Sequence, residues 1–318
     1  MTKFVGRRGT LGIARETVRG TAGATPYWFP NAKMSFFDGI ESVAEAQGLG
    51  NIADQDSFYV TFKIGQGSVD AQIYDTGLGY ILMSLLGAID VPTGGGPYTH
   101  TYTLNQTNQA QSLTLYWKDP DRQFAFRLAV IDSLKMTVAP KGMVEYAFTI
   151  KSKKATDWTG LTPSFTSNGN KFLHQNLAVK LATNVAGIAA ATRLNLTTFE
   201  LDISRNTMYD EVMGTVEPID VLSQELSVSG NFGLKLEDDT YRLLMRDNTY
   251  QSMEVKLFAN ANSSLQLQFP RVSFDTWQPD YTLGAIATQK VNFKANYDAT
   301  NGLDIISTAV LINQKSAY

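Results

Sequence analysis

The sequence predicts an all-β protein with one short helix in each of two similar halves. Two patterns carry this. Apolar and polar residues alternate in runs of about four to eight, the period of a half-buried strand, and Gly, Asn, Asp and Pro clusters separate the runs. The chain also repeats itself, which decides architecture before any residue chemistry. Residues 66–75 and 227–238 each place a glycine, Gly67 or Gly230, ahead of alternating apolar residues that end at an aspartate. Helix-like stretches follow at 79–86 and 241–245. Each half then has a strand opening on Gln-Ser, at Gln111 and Gln251, and a closing strand, 146–151 and 291–297.

Taken in order, residues 1–25 read as a basic arm. They are Gly- and Thr-rich and carry Lys3, Arg7, Arg8, Arg15 and Arg19 against Glu16. Such a segment is a solvated tail or docks on a partner subunit. Residues 26–155 form the first β-domain. Phe58, Val60, Phe62 and Ile64 share one phase, which slips at Gly65–Gly67 and resumes at Val69, Ala71 and Ile73; a bulge is expected at the glycines. An insertion at 87–110, with Gly94-Gly95-Gly96-Pro97, reads as a hairpin. Leu113, Leu115 and Trp117 form the next strand, 118–122 a turn, and Phe124, Phe126, Leu128 and Val130 the strand after it.

Residues 156–171 are a linker by composition, and 172–318 form the second β-domain. An Ala-rich insertion at 183–192 reads as a loop or one helical turn. Leu226, Val228, Phe232, Leu234 and Leu236 share one strand face around Gly230. Met253, Val255 and Leu257 share another, and Leu265, Leu267 and Phe269 a third, with a turn at 259–264. Glu237, Asp238 and Asp239 precede the second helix, where acids favour the N-terminus. The 318 residues suit two domains of ordinary size, each able to bury a core.

Reactive chemistry is sparse. There is no cysteine, so disulfides, thiolate zinc sites and cysteine nucleophiles are excluded. His100 and His174 are the two histidines; they lie in unrelated places and read as surface or turn residues. No nucleophile elbow or phosphate loop is present. No catalytic, cofactor or metal residues are assigned, and an enzyme is not expected. A net charge of −3 argues against a general polyanion-binding surface. No stretch is long and apolar enough for a membrane span, and the N-terminus lacks the apolar core of a secretory signal.

Charge is segregated. Residues 38–58 hold Asp38, Glu41, Glu45, Asp54 and Asp56 with no Lys or Arg, and 207–225 hold Asp210, Glu211, Glu217, Asp220 and Glu225, again with no base. A basic arm and two acidic loops suggest self-association, the arm of one subunit meeting the loops of another. Acidic loops that merely keep the protein soluble are the plain alternative.

The opening Arg7-Arg8-Gly9-Thr10-Leu11-Gly12-Ile13-Ala14-Arg15-Glu16, followed by Gly20-Thr21 and then Pro26 or Pro30, resembles the start of a family of tail tube (major tail) proteins of long-tailed bacteriophages. The resemblance implies tandem tail-tube-like β-sandwich or barrel domains, each with a flanking helix and a long contact loop. It implies a structural virion protein of the tail, assembled in the host cytoplasm. Its partners would be other copies of itself, tail terminator, tape measure and tail tip proteins, with genomic DNA passing through without specific binding. Many members have one domain and form hexameric rings; two domains imply three chains in a pseudo-sixfold ring. The lumen is expected to be neutral to acidic, with the polar strand faces at Ser227, Ser229, Asn231, Ser112 and Thr114 as candidates to line it. A carbohydrate-binding or adhesin module, suggested by Trp117, Trp158 and Trp277, and the tube of a contractile injection apparatus stay open as alternatives.

Overall fold

The computed structural model describes residues 3–45, 50, 52, 57–89, 91–165 and 169–318. The architecture is all-β, as the alternation predicts. The first half holds strands β1 (Thr10–Arg15), β2 (Tyr27–Phe29), β3 (Ala32–Glu45) and β4 (Ser57–Ala71), then helix α1 (Asp75–Leu86). Strands β5 (Gly87–Ile89), β6 (Tyr98–Leu104), β7 (Leu113–Lys118), β8 (Gln123–Val138), β9 (Glu145–Lys153) and β10 (Ala155–Asp157) follow. The second half holds β11 (Leu177–Ala182), β12 (Leu196–Ser204), β13 (Met208–Asp210), β14 (Asp220–Leu222) and β15 (Ser227–Lys235). Helix α2 (Thr240–Arg246), β16 (Gln251–Asn260), β17 (Ser263–Asp280), β18 (Thr288–Asn296) and β19 (Thr308–Asn313) complete it.

Strands pair antiparallel and in the same order in both halves. β3 pairs with β4, β4 with β9 and β9 with β8. Likewise β12 pairs with β15, β15 with β18 and β18 with β17. The two sets meet where β12 lies against β8, from Phe199 opposite Val138 to Ser204 opposite Ser133. The result is one run of eight strands, β3-β4-β9-β8-β12-β15-β18-β17.

One face of this run is apolar and packs on a second layer. That layer is β10-β8-β7-β1-β2 in the first half and β19-β17-β16-β11 in the second. β8 and β17 are long because each serves both layers, and each bends at breaks in register. Val69, Phe148, Phe232, Phe269 and Phe293 are essentially inaccessible within a core that spans both halves. Burying one such side chain contributes roughly 1.5–3 kcal/mol.

Helix α1 ends at Gly87, whose φ of 87° lets its N–H return to the Met83 carbonyl. All of α1 is buried, whereas α2 keeps one side in solvent. Asp239 stands at the N-cap of α2, but its carboxylate pairs with Arg242; Asp238 accepts from the Thr240 N–H at 3.0 Å. The expected hairpin insertion is β5–β6, and β6 also pairs with β19. The Ala-rich insertion contains a 3-10 turn, Val185–Ala190.

Several expectations are corrected. β4 stays in register with β3 and β9 through Gly65–Gly67, so no bulge lies there. The apolar phase changes because Phe62 and Ile64 face the opposite side of β4 from Val69 and Ala71, and second-half residues cover that side. The break in register falls between Glu41 and Ser42, leaving Thr61 unpaired. Residues 1–25 are not a detached arm: β1 pairs with β2 and β7, and Leu11 and Ile13 are core residues. Residues 156–157 belong to β10 rather than a linker. The Gln-Ser openings are out of step by two, since Leu113 faces Ala129 whereas Gln251 faces Val272. His100 is buried, not at the surface; its Nε2 lies 2.8 Å from the Lys315 carbonyl, and burial lowers its pKa.

Candidate subunit-assembly surface

The joint between β8 and β12 shows how this fold connects one four-strand unit to the next. On its apolar side Phe199, Leu201 and Ile203 lie beside Leu134, Met136 and Val138, all buried. On its polar side the Glu200 carboxylate accepts from Asn231 at 3.0 Å and meets Lys135 Nζ at 3.3 Å. The Asn231 hydrogen bond and then the lysine hold the Glu200 carboxyl below its usual range.

A bulge places Asp132 outside the β8–β9 ladder, between Ile131 and Ser133. Its Oδ1 accepts from the Thr207 N–H at 2.7 Å and hydroxyl at 2.6 Å, with Lys151 Nζ at 3.7 Å. The second half then folds over the outer face of β4. The Tyr209 ring meets Phe62 at 6.0 Å and its hydroxyl donates to the Gly65 carbonyl at 3.0 Å. The Lys63 N–H reaches the Val216 carbonyl at 2.7 Å, and Lys154 pairs with Glu217 at 3.0 Å.

The counterparts of these two strands, at the ends of the eight-strand run, are open. Among the described residues, β3 has β4 on one side and no strand on the other. Residues 273–280 of β17 likewise have only β18. Large apolar side chains stand in solvent at both ends: Phe37 is 57% and Ile40 60% exposed, and Tyr281 is 64% exposed just past β17. An open edge with unspent backbone donors and acceptors is a template for another strand.

The charged residues singled out from the sequence fall into three groups. Arg7 and Arg8 are exposed in a 3-10 turn. Arg15 donates to the Tyr318 carbonyl at 3.1 Å, and Arg19 grips Asp220 at 2.8 Å and the Ala110 and Val221 carbonyls at 2.6 Å, all within the chain. Asp38, Glu41 and Glu45 lie on β3 itself, so residues 38–45 are strand rather than loop. Asp38 accepts from the Ala155 N–H at 2.7 Å and Glu45 from the Ser57 hydroxyl at 3.1 Å. Asp54 and Asp56 lie outside the described residues. Asp210 and Asp220 face each other across the β13–β14 ribbon, with Glu211 exposed beside it.

Sequence reasoning missed two carboxylates. Glu16 is buried and accepts from Gly20 N–H (2.7 Å), Ser112 Oγ (2.7 Å), Thr114 Oγ1 (2.8 Å) and Leu128 N–H (2.8 Å). Ser112 and Thr114 are therefore buried around Glu16 and do not belong to an open polar face; Ser227, Ser229 and Asn231 do. Asp132 had a signal, since Ile131-Asp132-Ser133 and Phe274-Asp275-Thr276 each set an aspartate and a hydroxyl inside a strand.

The open face of the eight strands carries interleaved charge. Lys33, Lys135, Lys151, Lys153, Lys235, Lys290 and Lys294 are set among Asp70, Asp132, Glu145, Glu200, Asp202 and Asp280. Among the described residues no cluster of His, Asp or Glu could hold a metal ion, and no helix is long and apolar enough to cross a membrane.

No curated protein matches the chain. The family model for phage tail tube protein matches residues 6–300, from the turn before β1 to just beyond β18. With nearly the whole length matched, the chain belongs to the phage tail tube protein family.

Proposed function

We propose that three chains close head to tail into a pseudo-sixfold ring and that rings stack into a conduit for DNA ejection. Family membership makes the chain a structural component of the virion tail that self-assembles into a tube with other tail components. How it does so is our reading. The carrying observation is the β8–β12 joint, whose counterparts β17 and β3 lie open at the two ends of the sheet.

The shared pairing order supports treating residues 26–155 and 172–318 as two copies of one unit, joined through β10 and the segment after it. Three chains of eight strands make a 24-strand wall. At a strand spacing of about 4.8 Å and a tilt of about 40°, such a barrel is roughly 50 Å across between backbones, wide enough to pass a duplex. Head-to-tail contacts that close give a ring, and closure covers both edges.

The polar face would line the lumen. Its lysines are interleaved with carboxylates, and Lys135 pairs with Glu200 and Lys151 with Asp132, so no continuous basic track grips phosphates, and passage is not slowed by counterion-release affinity. The duct has no catalytic role. Tail terminator, tape measure and tail tip proteins would contact its ends and interior, and assembly would take place in the host cytoplasm.

Negative-stain electron microscopy of the purified chain over a concentration series tests this. Hollow tubes or stacked rings are expected. Particles that stay monomeric at every concentration, and in the presence of a tail-tip initiator, would overturn it.

A further inference from the structure

We infer that β17 of one chain pairs antiparallel with β3 of the next copy in a single register, Phe36 opposite Pro279 and Phe37 opposite Gln278. This rests on the ring closure proposed above and adds the residues that form it.

The register follows from four anchors within the chain. Gly67 lies between Phe36 on one neighbour and Ile150 on the other; Gly230 lies between Leu201 and Phe293. A Cβ at Gly67 would run into the Ser35 carbonyl oxygen, and one at Gly230 into that of Glu200, so the two glycines hold the same place for the same reason. Phe36 thus corresponds to Leu201, and Ile150 to Phe293. Opposite Ile150, β8 breaks register after Ile131; opposite Phe293, β17 breaks after Phe274. The bulged Asp132 therefore corresponds to Asp275, and four residues on, Met136 corresponds to Pro279. Leu201 sits opposite Met136 in the internal joint, so Phe36 belongs opposite Pro279.

Exposure supports the same match. The internal joint buries Phe199, Leu134 and Val138, the last to 5%. Of their counterparts, Met34 and Trp277 are only partly buried and Tyr281 is 64% exposed. The clasp has a counterpart as well. Continuing along the strand, Ser42 corresponds to Thr207, whose N–H and hydroxyl bind Asp132, and Asp275 is exposed at the matching bulge. Pro279 and Asp280 on the open edge blunt pairing with unrelated strands.

The cysteine-free chain makes the test direct. Phe37 and Gln278 are exposed and fall on the same face of the new joint. In the double variant F37C/Q278C, directly opposed residues lie within the Cα separation a disulfide spans. Oxidising assembled tubes should move most chains into covalent dimer and trimer bands on denaturing gels. S35C/D280C, in the same register, should behave alike, and the slipped pair F37C/D280C should stay mainly monomeric. Tubes that form but cross-link preferentially through the slipped pair, or through neither in-register pair, overturn the register and leave the tube reading standing. A wild-type chain that builds no tubes overturns the tube reading and the register with it.

Discussion

Replacing Glu16 by alanine should cost the chain a large part of its stability. Glu16 sits where β1 runs out beside β7, and its two oxygens collect four donors from three separate segments. Two are hydroxyls that can rotate toward other acceptors. The other two, Gly20 N–H and Leu128 N–H, are fixed by backbone. Leu128 is held at φ 56°, a conformation unusual for leucine, with its N–H aimed at Glu16 Oε1. Each donor left buried and unsatisfied costs about 1–3 kcal/mol. Counting the two fixed donors fully and the hydroxyls in part gives a loss of about 3–5 kcal/mol. Against a total of about 5–15 kcal/mol this is severe. Urea unfolding of the unassembled chain measures it as a fall in midpoint with little change in slope. Glu16→Gln keeps one carbonyl acceptor but turns an amide nitrogen toward the remaining donors, so it should fall between alanine and wild type. A loss below about 1 kcal/mol for Glu16→Ala would refute the claim that this carboxylate ties the N-terminal segment to the sheet.

Three further outcomes are expected. Gly67→Ala and Gly230→Ala should each destabilise by more than about 2 kcal/mol in thermal melts, because the added carbon meets a neighbouring carbonyl; Gly6→Ala, with open space around it, should change little. Asp132→Ala should cost roughly 1–3 kcal/mol and raise amide exchange in 205–217 above that in the β17–β18 ladder, since Thr207 and Lys151 lose their shared acceptor. Asp75 has its pKa raised above 3.8 by burial. The folded chain therefore holds that proton to higher pH than the unfolded chain; the associated stability is fully present below 3.8 and lost as pH rises through the folded pKa. The stability of wild type relative to Asp75→Asn should accordingly improve on acidification from neutral pH, and a difference that stays flat across that range would contradict it.

Strand periodicity was legible from the residues, and so was the equivalence of Gly67 and Gly230, because both reflect short-range geometry. What the period could not supply was partners. Nothing in the alternation of Phe199, Leu201 and Ile203 says that they lie against Leu134–Val138 rather than in a separate domain, since pairing is a long-range choice. Residues 38–45 looked like loop because β3 at this end has one neighbour and solvent on the other side, so Ile40, Val43 and the acids between them show no buried face. Conversely, β1 hides two core residues, Leu11 and Ile13, in a Gly-rich basic stretch where composition outweighs a short alternation. The phase change in β4 was visible, but its cause was not. Glycines beside a slip suggest a bulge, whereas here the slip records a change in which face is covered, by Tyr209 and its neighbours.

That three chains close one ring is tested most directly by cryo-electron microscopy of assembled tubes, resolved well enough to tell β4–β9–β8 from β15–β18–β17. Threefold rings are expected, with pseudo-sixfold end views, a continuous 24-strand wall, and β3 of each chain against β17 of the next. Rings of six chains, or rings in which β3 and β17 remain unpaired, would contradict it.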